Sequence, residues 1–183
     1  TVTGYQADAA RMQVTSDATE AYQLVLPYVQ RVDRSLLYLK PDVLLILDRL
    51  QAAQDAEFAA RFQVFNEDNS GRANASHETF RITRPFAHLA GSAHAQGSPV
   101  QVSVDRLDLP TDEGEFPFVA AKSSAARNHA LLTVVAAAPT GESIGDLAVT
   151  PTDTGWNVRG THRGLAVDVQ VDTSSRELPF SAQ

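Results

Sequence analysis

Ser35-Leu36-Leu37-Tyr38-Leu39, then Lys40-Pro41-Asp42, then Val43-Leu44-Leu45-Ile46-Leu47 is the stretch that decides the fold. Two apolar runs rich in strand-forming residues flank a short break. Proline presets φ for the first central position of a turn, and an aspartate beside it can bond nearby backbone N–H groups. The reading is an antiparallel hairpin. Its arms are apolar on consecutive residues, so both faces should be covered, as in the middle of a sandwich. A hairpin centred on Pro41-Asp42 also sets Arg34 opposite Asp48, which reads as a cross-strand ion pair at a sheet end.

Outward from the hairpin, period-2 alternation recurs. Leu165, Val167, Val169 and Val171 face one way, against Ala166, Asp168, Gln170 and Asp172. Val100, Val102 and Val104 repeat the pattern, as do Phe80 and Ile82, and Phe62 and Val64. Alternation of this kind marks half-buried strands. Turn clusters at Asn66–Gly71, Gly91–Pro99, Pro110–Gly114, Pro139–Gly145, Pro151–Gly155 and Gly160–Gly164 space them as in a sandwich or barrel. Helix is scarce. Gln51 to Phe62 has helix-forming composition but could equally begin a strand, and Ser123 to Ala130 has room for one helical turn. The expected fold is all-β, an antiparallel sandwich occupying residues 1–183 as a single domain.

The totals agree. A chain of 183 residues, 43% hydrophobic, can bury about 70% of its unfolded surface and needs no disulfide to hold a core. It has no cysteine, which excludes thiolate chemistry and cysteine-based zinc sites. No apolar stretch approaches the length of a membrane-spanning helix. The net charge of −7 argues against a broad nucleic-acid or anionic-membrane surface. Thr1-Val2-Thr3-Gly4-Tyr5 shows neither a start methionine nor the charged-then-apolar order of a signal peptide, so the chain is expected to begin inside a longer protein.

Candidate chemistry is sparse. His88 and His94 stand six apart without a nearby carboxylate, a poor spacing for a metal pair, and no metal site is expected here. His129 precedes the run Leu131 to Ala137 and has no visible partner, and His77 and His162 complete the five histidines. Asn66-Glu67-Asp68-Asn69-Ser70-Gly71 resembles the front half of a calcium loop, yet its twelfth position is His77 where a bidentate glutamate is needed. A polar turn is the better reading. Asn74-Ala75-Ser76 is a glycosylation sequon, a motif common by chance. Arg31 and Arg34 are the candidate substrate contacts, as guanidiniums offered to an anionic sugar, beside their structural reading as ion-pair partners. No nucleophile elbow, phosphate loop or dinucleotide fingerprint occurs.

Ser16-Asp17-Ala18-Thr19-Glu20-Ala21-Tyr22, followed by the run from Tyr28 through Lys40-Pro41-Asp42 to Leu50, resembles the heparinase II/III-like family. That family shows a GDAT-x-AY segment, an arginine-bearing strand, an LKPD turn and a strand ending in Asp-Arg-Leu. The match covers roughly the first 50 residues. Members are bacterial polysaccharide lyases that cleave uronate-containing chains by β-elimination, with an α/α toroid ahead of β-sandwich domains and the substrate cleft between them. The resemblance implies a C-terminal β-sandwich portion, an acidic polysaccharide and an upstream toroid as partners, and a periplasmic or secreted location. It implies no cofactor in this stretch, with zinc in a full-length parent, since the family's histidine motifs would lie before Thr1. Many relatives carry a histidine on the strand after the hairpin, where this chain has Phe65-Asn66. No catalytic or metal residue is therefore carried across. The competing expectation is a non-catalytic carbohydrate-binding or interaction module.

Overall fold

The apolar runs around Pro41 do pair, and they seed the larger of two sheets. The computed structural model describes residues 1–110 and 114–182. In chain order the strands are β1 (Val2–Ala7), β2 (Arg11–Asp17), β3 (Val29–Leu39), β4 (Val43–Gln63), β5 (Arg72–Ser76), β6 (Thr79–Thr83), β7 (Ala87–Ala95), β8 (Val100–Arg106), β9 (Pro117–Pro139), β10 (Leu147–Thr152), β11 (Gly155–His162), β12 (Leu165–Asp172) and β13 (Phe180–Ala182). One short helix, α1 (Thr19–Gln23), lies between β2 and β3. The large sheet runs β1-β2-β3-β4-β9-β7-β6-β5, with β8 also paired to β9; the small sheet runs β10-β11-β12-β13. Every pairing is antiparallel, and the sheets do not close into a barrel, so the expected all-β sandwich is the fold.

Alternation decides which residues meet. Leu37, Leu39, Val43, Leu45 and Leu47 point to the small sheet, which answers with Trp156, Val158, Val167, Val169 and Val171. This is the main core, and the inward set of β12 is the one its alternation predicts. A second core forms where the far halves of β4 and β9, with β8, pack over β6 and β7 through Ala60, Phe80, Ile82, Val102, Val119 and Leu131. The other face of the hairpin is less covered than expected. Tyr38, Leu44 and Ile46 open onto an apolar cleft of about 510 Å³, walled by Phe62, Phe80 and Leu89.

Several local expectations are corrected. Gln51 to Phe62 is strand, because β4 runs on to Gln63 beside β9. Ser123 to Ala130 is also strand, its pattern blurred where the β4–β9 register shifts between Gln51 and Phe58. Gly91 does not open a turn; it sits inside β7, where the Phe80 ring leaves no room for a Cβ. Gly160 likewise lies within β11, and the turn falls at Arg163-Gly164. At the central hairpin the Lys40–Pro41 peptide is cis, and the Asp42 carboxylate is taken by Arg163 from the small sheet and not by local N–H groups. The turn expected at Pro110–Gly114 lies in part outside the described residues, at 111–113.

Candidate functional site: the cleft beside Arg31

The β3–β4 ladder pairs Val29 with Ala52 but Arg31 with Gln51, so one extra residue is accommodated on β3. From Arg31 onward the pairing is regular, so strand alternation puts Arg31 on the same face as Asp33, which is directly opposed to Arg49. Asp33 is 2% exposed and meets two guanidiniums: Nε of Arg49 at 2.5 Å and Nε of Arg31. Arg49 is fully spent. It donates to the Ser35 hydroxyl at 3.3 Å and to the carbonyls of Thr173, Ser175 and Arg176. Burial pushes its pKa below the ordinary arginine value, opposed by the charge of Asp33. Arg31 keeps a quarter of its side chain in solvent and meets only Asp33 among the described residues.

Arg31 and Arg49 line one wall of an open cleft of about 370 Å³, with Gln51, Gln96, Asn128 and Thr173 around it. Among the described residues, no carboxylate lines it. Asp33 lies beneath, and Asp17 and Asp172 are within electrostatic reach of Arg31 and Arg49 respectively. Both of those carboxyls are held below the usual range, chiefly by the hydroxyls and N–H groups of Thr19 and Ser174. The lining thus offers the remaining guanidinium N–H groups of Arg31 and neutral amides, which suits a polyhydroxylated ligand carrying an anionic group.

Arg34 does not share this cleft. It lies on the opposite face of β3, where its Nε and second nitrogen donate to both oxygens of Asp48 at 2.6 and 2.9 Å. The ion pair predicted from the hairpin register is present. Asp48 is buried and Arg34 is half-exposed beneath the α1 side.

His129 stands at the cleft floor, and its partner, hidden in the sequence, is Ser123. The hydroxyl lies 2.8 Å from Nδ1, while Nε2 faces the carbonyls of Ala56 and Ala126 at 2.8 and 3.0 Å. Two acceptors at Nε2 require its proton there, so Nδ1 accepts from Ser123 and both nitrogens are committed. A locked imidazole of this kind is a structural strut and a poor proton shuttle. His162, 1% exposed, is pinned the same way: Gly145 N–H donates to Nδ1 and Nε2 donates to the Ala137 carbonyl. His77 occupies the tight turn between β5 and β6. His88 and His94 share one face of β7 but lie about 20 Å apart along it, too far to hold one ion.

The calcium-like stretch closes on itself. The Asn66 side chain accepts from Gly71 N–H at 2.6 Å, and Asp68 is clasped by Arg84 through two bonds of 2.6 and 2.8 Å. Arg84 and then Ser70 hold the Asp68 carboxyl well below the ordinary 3.8. Its oxygens are committed to Arg84 and Ser70.

His94 gives a pH prediction. Burial, set against the weaker opposing charge of Glu78, lowers its pKa below 6.5. The unfolded chain therefore binds more protons than the folded one across that interval, and stability rises with pH there. The contribution is full above about 6.5 and is lost as pH falls through the folded value. In an NMR titration His94 should change charge below about 6.5, the ordinary histidine value; a midpoint at or above it rejects the assignment.

A polar, cation-bearing cleft on an antiparallel β-sandwich is the class of structure these residues define. No family model matches the chain, and no curated protein matches it. Solved structures do. The heparan sulfate lyase HepC from Pedobacter heparinus superposes with a TM-score of 0.67 at 12% identity, over 96% of this chain and 28% of that one. A heparinase III gene product gives 0.66 at 8% identity over 92% and 27%, and a further heparinase III crystal structure gives 0.64 at 10% over 92% and 26%. The chain thus has the fold of a heparinase-like β region and spans a little over a quarter of the length of these structures.

Proposed function

We propose that this chain is the β-sandwich portion of a heparinase II/III-like polysaccharide lyase, forming one wall of a cleft for uronate-containing glycans. The observation that carries the reading is the fold match along nearly the whole chain to heparan sulfate lyase and heparinase III structures. The resemblance of Ser16–Tyr22 and Tyr28–Leu50 to the family pattern supports it independently. Arg31 is the residue assigned to the substrate, as the guanidinium that neutralises a uronate carboxylate or sulfate. The sandwich does not perform the elimination itself. β-Elimination needs a base for the proton α to the carboxylate, an acid for the leaving oxygen, and carboxylate neutralisation. The cleft supplies the third through Arg31, while its histidine has both nitrogens occupied. An upstream α/α toroid is the proposed source of the acid and base, with zinc, if the parent holds it, also bound there; the proposed setting is periplasmic or secreted.

The test separates binding from turnover. Incubated with heparan sulfate or alginate, the chain should yield no unsaturated sugar ends by ultraviolet absorbance. In titration it should bind the same polymers, and Arg31→Gln should weaken that binding about tenfold. Turnover abolished by His129→Ala would overturn the supporting role, and binding indifferent to Arg31 would remove its assignment.

A further inference from the structure

On β7, Ala90, Ser92 and His94 face the small sheet, and Gln96 continues the row into the Arg31 cleft. At the other end of the row is a second hollow of about 300 Å³, lined by the polar Asn74, Arg81, Ser92 and Asp146 and by apolar side chains such as Phe80 and Ile144. Asn74 and Arg81 are directly opposed on β5 and β6, and Arg81 is opposed to Ala90 on β7. Both side chains are exposed, and neither has a hydrogen bond or ion pair to the rest of the described residues. Arg84, Arg106, Arg159 and Arg163, by contrast, are all engaged with carboxylates.

The edge of the small sheet follows the same line. Asp146 and Leu147 flank the hollow where β10 begins, and past its end Thr154 accepts from Thr173, whose hydroxyl also reaches Gln96 at 3.2 Å. The row is therefore a corridor with a guanidinium at each end and hydroxyls, an imidazole and amides between. From Ala90 to Gln96 is six residues, or about 20 Å of extended strand.

The geometry points to a single track for an extended acidic oligosaccharide along β7, with Arg81 as a second anion contact remote from Arg31. A planar guanidinium pairs well with a carboxylate or sulfate, and the intervening amides and hydroxyls suit sugar hydroxyls. Two isolated cations on a chain of net charge −7 fit a sparsely charged glycan better than a nucleic acid, which requires a dense basic strip. Asp146 in the hollow and Glu78 near His94 accept sugar hydroxyls and oppose dense sulfation there. The track rests on the proposed reading of the Arg31 cleft.

The experiment uses the whole chain and uronate oligosaccharides of two lengths: a disaccharide, too short to span the row, and an octasaccharide. The octasaccharide should bind more tightly. Arg81→Gln should lower its affinity about tenfold while leaving the disaccharide unchanged. Arg31→Gln should weaken both. Because Arg81 is exposed and unpaired among the described residues, the variant should keep the parent spectrum and melting profile. Unchanged octasaccharide binding by Arg81→Gln overturns the track while leaving the Arg31 reading intact. Failure of the parent chain to bind either ligand overturns both, and equal affinity for polyglutamate overturns the saccharide as occupant.

Discussion

Leu45→Asp should leave the chain unfolded at room temperature. Leu45 is fully buried, in the middle of β4, facing the small sheet among Leu37, Val43, Leu47 and the β11–β12 valines. The substitution removes an aliphatic side chain, worth about 2–5 kcal/mol when truncated in a core, and adds a carboxylate with no partner in reach. Together these consume most of the roughly 5–15 kcal/mol that separates folded from unfolded domains. Circular dichroism and dispersion of the amide NMR spectrum are the readouts. Leu44→Asp is the control, because Leu44 lies on the opposite face beside the open apolar cleft and a charge there can reach water. A folded Leu45→Asp variant with normal thermal stability would mean the two sheets are not joined through the hairpin.

Asp33→Ala should cost about 3–5 kcal/mol, the range for removing one partner of a buried ion pair. The cause is what it leaves behind. Arg49, 5% exposed, would keep its carbonyl partners but lose its one ion-pair partner among the described residues, and Arg31 would face it with nothing between. Replacing the pair together, as Asp33→Leu with Arg49→Met, should recover most of the loss because no charge then remains buried. Urea denaturation of the two variants gives the comparison. If the double replacement is no more stable than Asp33→Ala, an uncompensated Arg49 charge is not the main cost, or the bonds from Arg49 to Thr173, Ser175 and Arg176 that the double replacement also removes are worth as much as the relief.

These residues also show what was legible beforehand. The hairpin was, because its two apolar arms and Pro41 are local signals, and the centre of symmetry fixes Arg34 against Asp48 without further information. The alternation of β12 gave its inward face for the same reason. The lock on Arg49 was not, since its carbonyl partners come from residues more than 120 positions away. Ser123 as the partner of His129 is six residues distant, but only the irregular β4–β9 register brings them together, and an interrupted pattern conceals a strand. Gly91 misled because glycine signals a turn, whereas here the Phe80 ring across the ladder requires it. Of the two arginines singled out for substrate, Arg31 lines an open cleft and Arg34 does not; their odd spacing already sets them on opposite faces, but the cleft itself is completed by Gln96, Asn128 and Thr173 from distant parts of the chain.

The length of β4 and β9 has a kinetic meaning. Each runs through both hydrophobic clusters, 21 and 23 residues long, and each is the other's principal neighbour. The segments that must meet are separated by more than fifty residues of intervening chain, so their alignment requires closing a long loop before any reward is collected. Chains dominated by such distant pairings fold in milliseconds to seconds, far more slowly than those built from local contacts. Until β9 arrives, β4 presents an unpaired apolar edge, which is the state most exposed to aggregation during synthesis or refolding. A ribosome that has released only the first hundred residues has therefore delivered two antiparallel pieces, β1–β4 and β5–β7, without the strand that joins them.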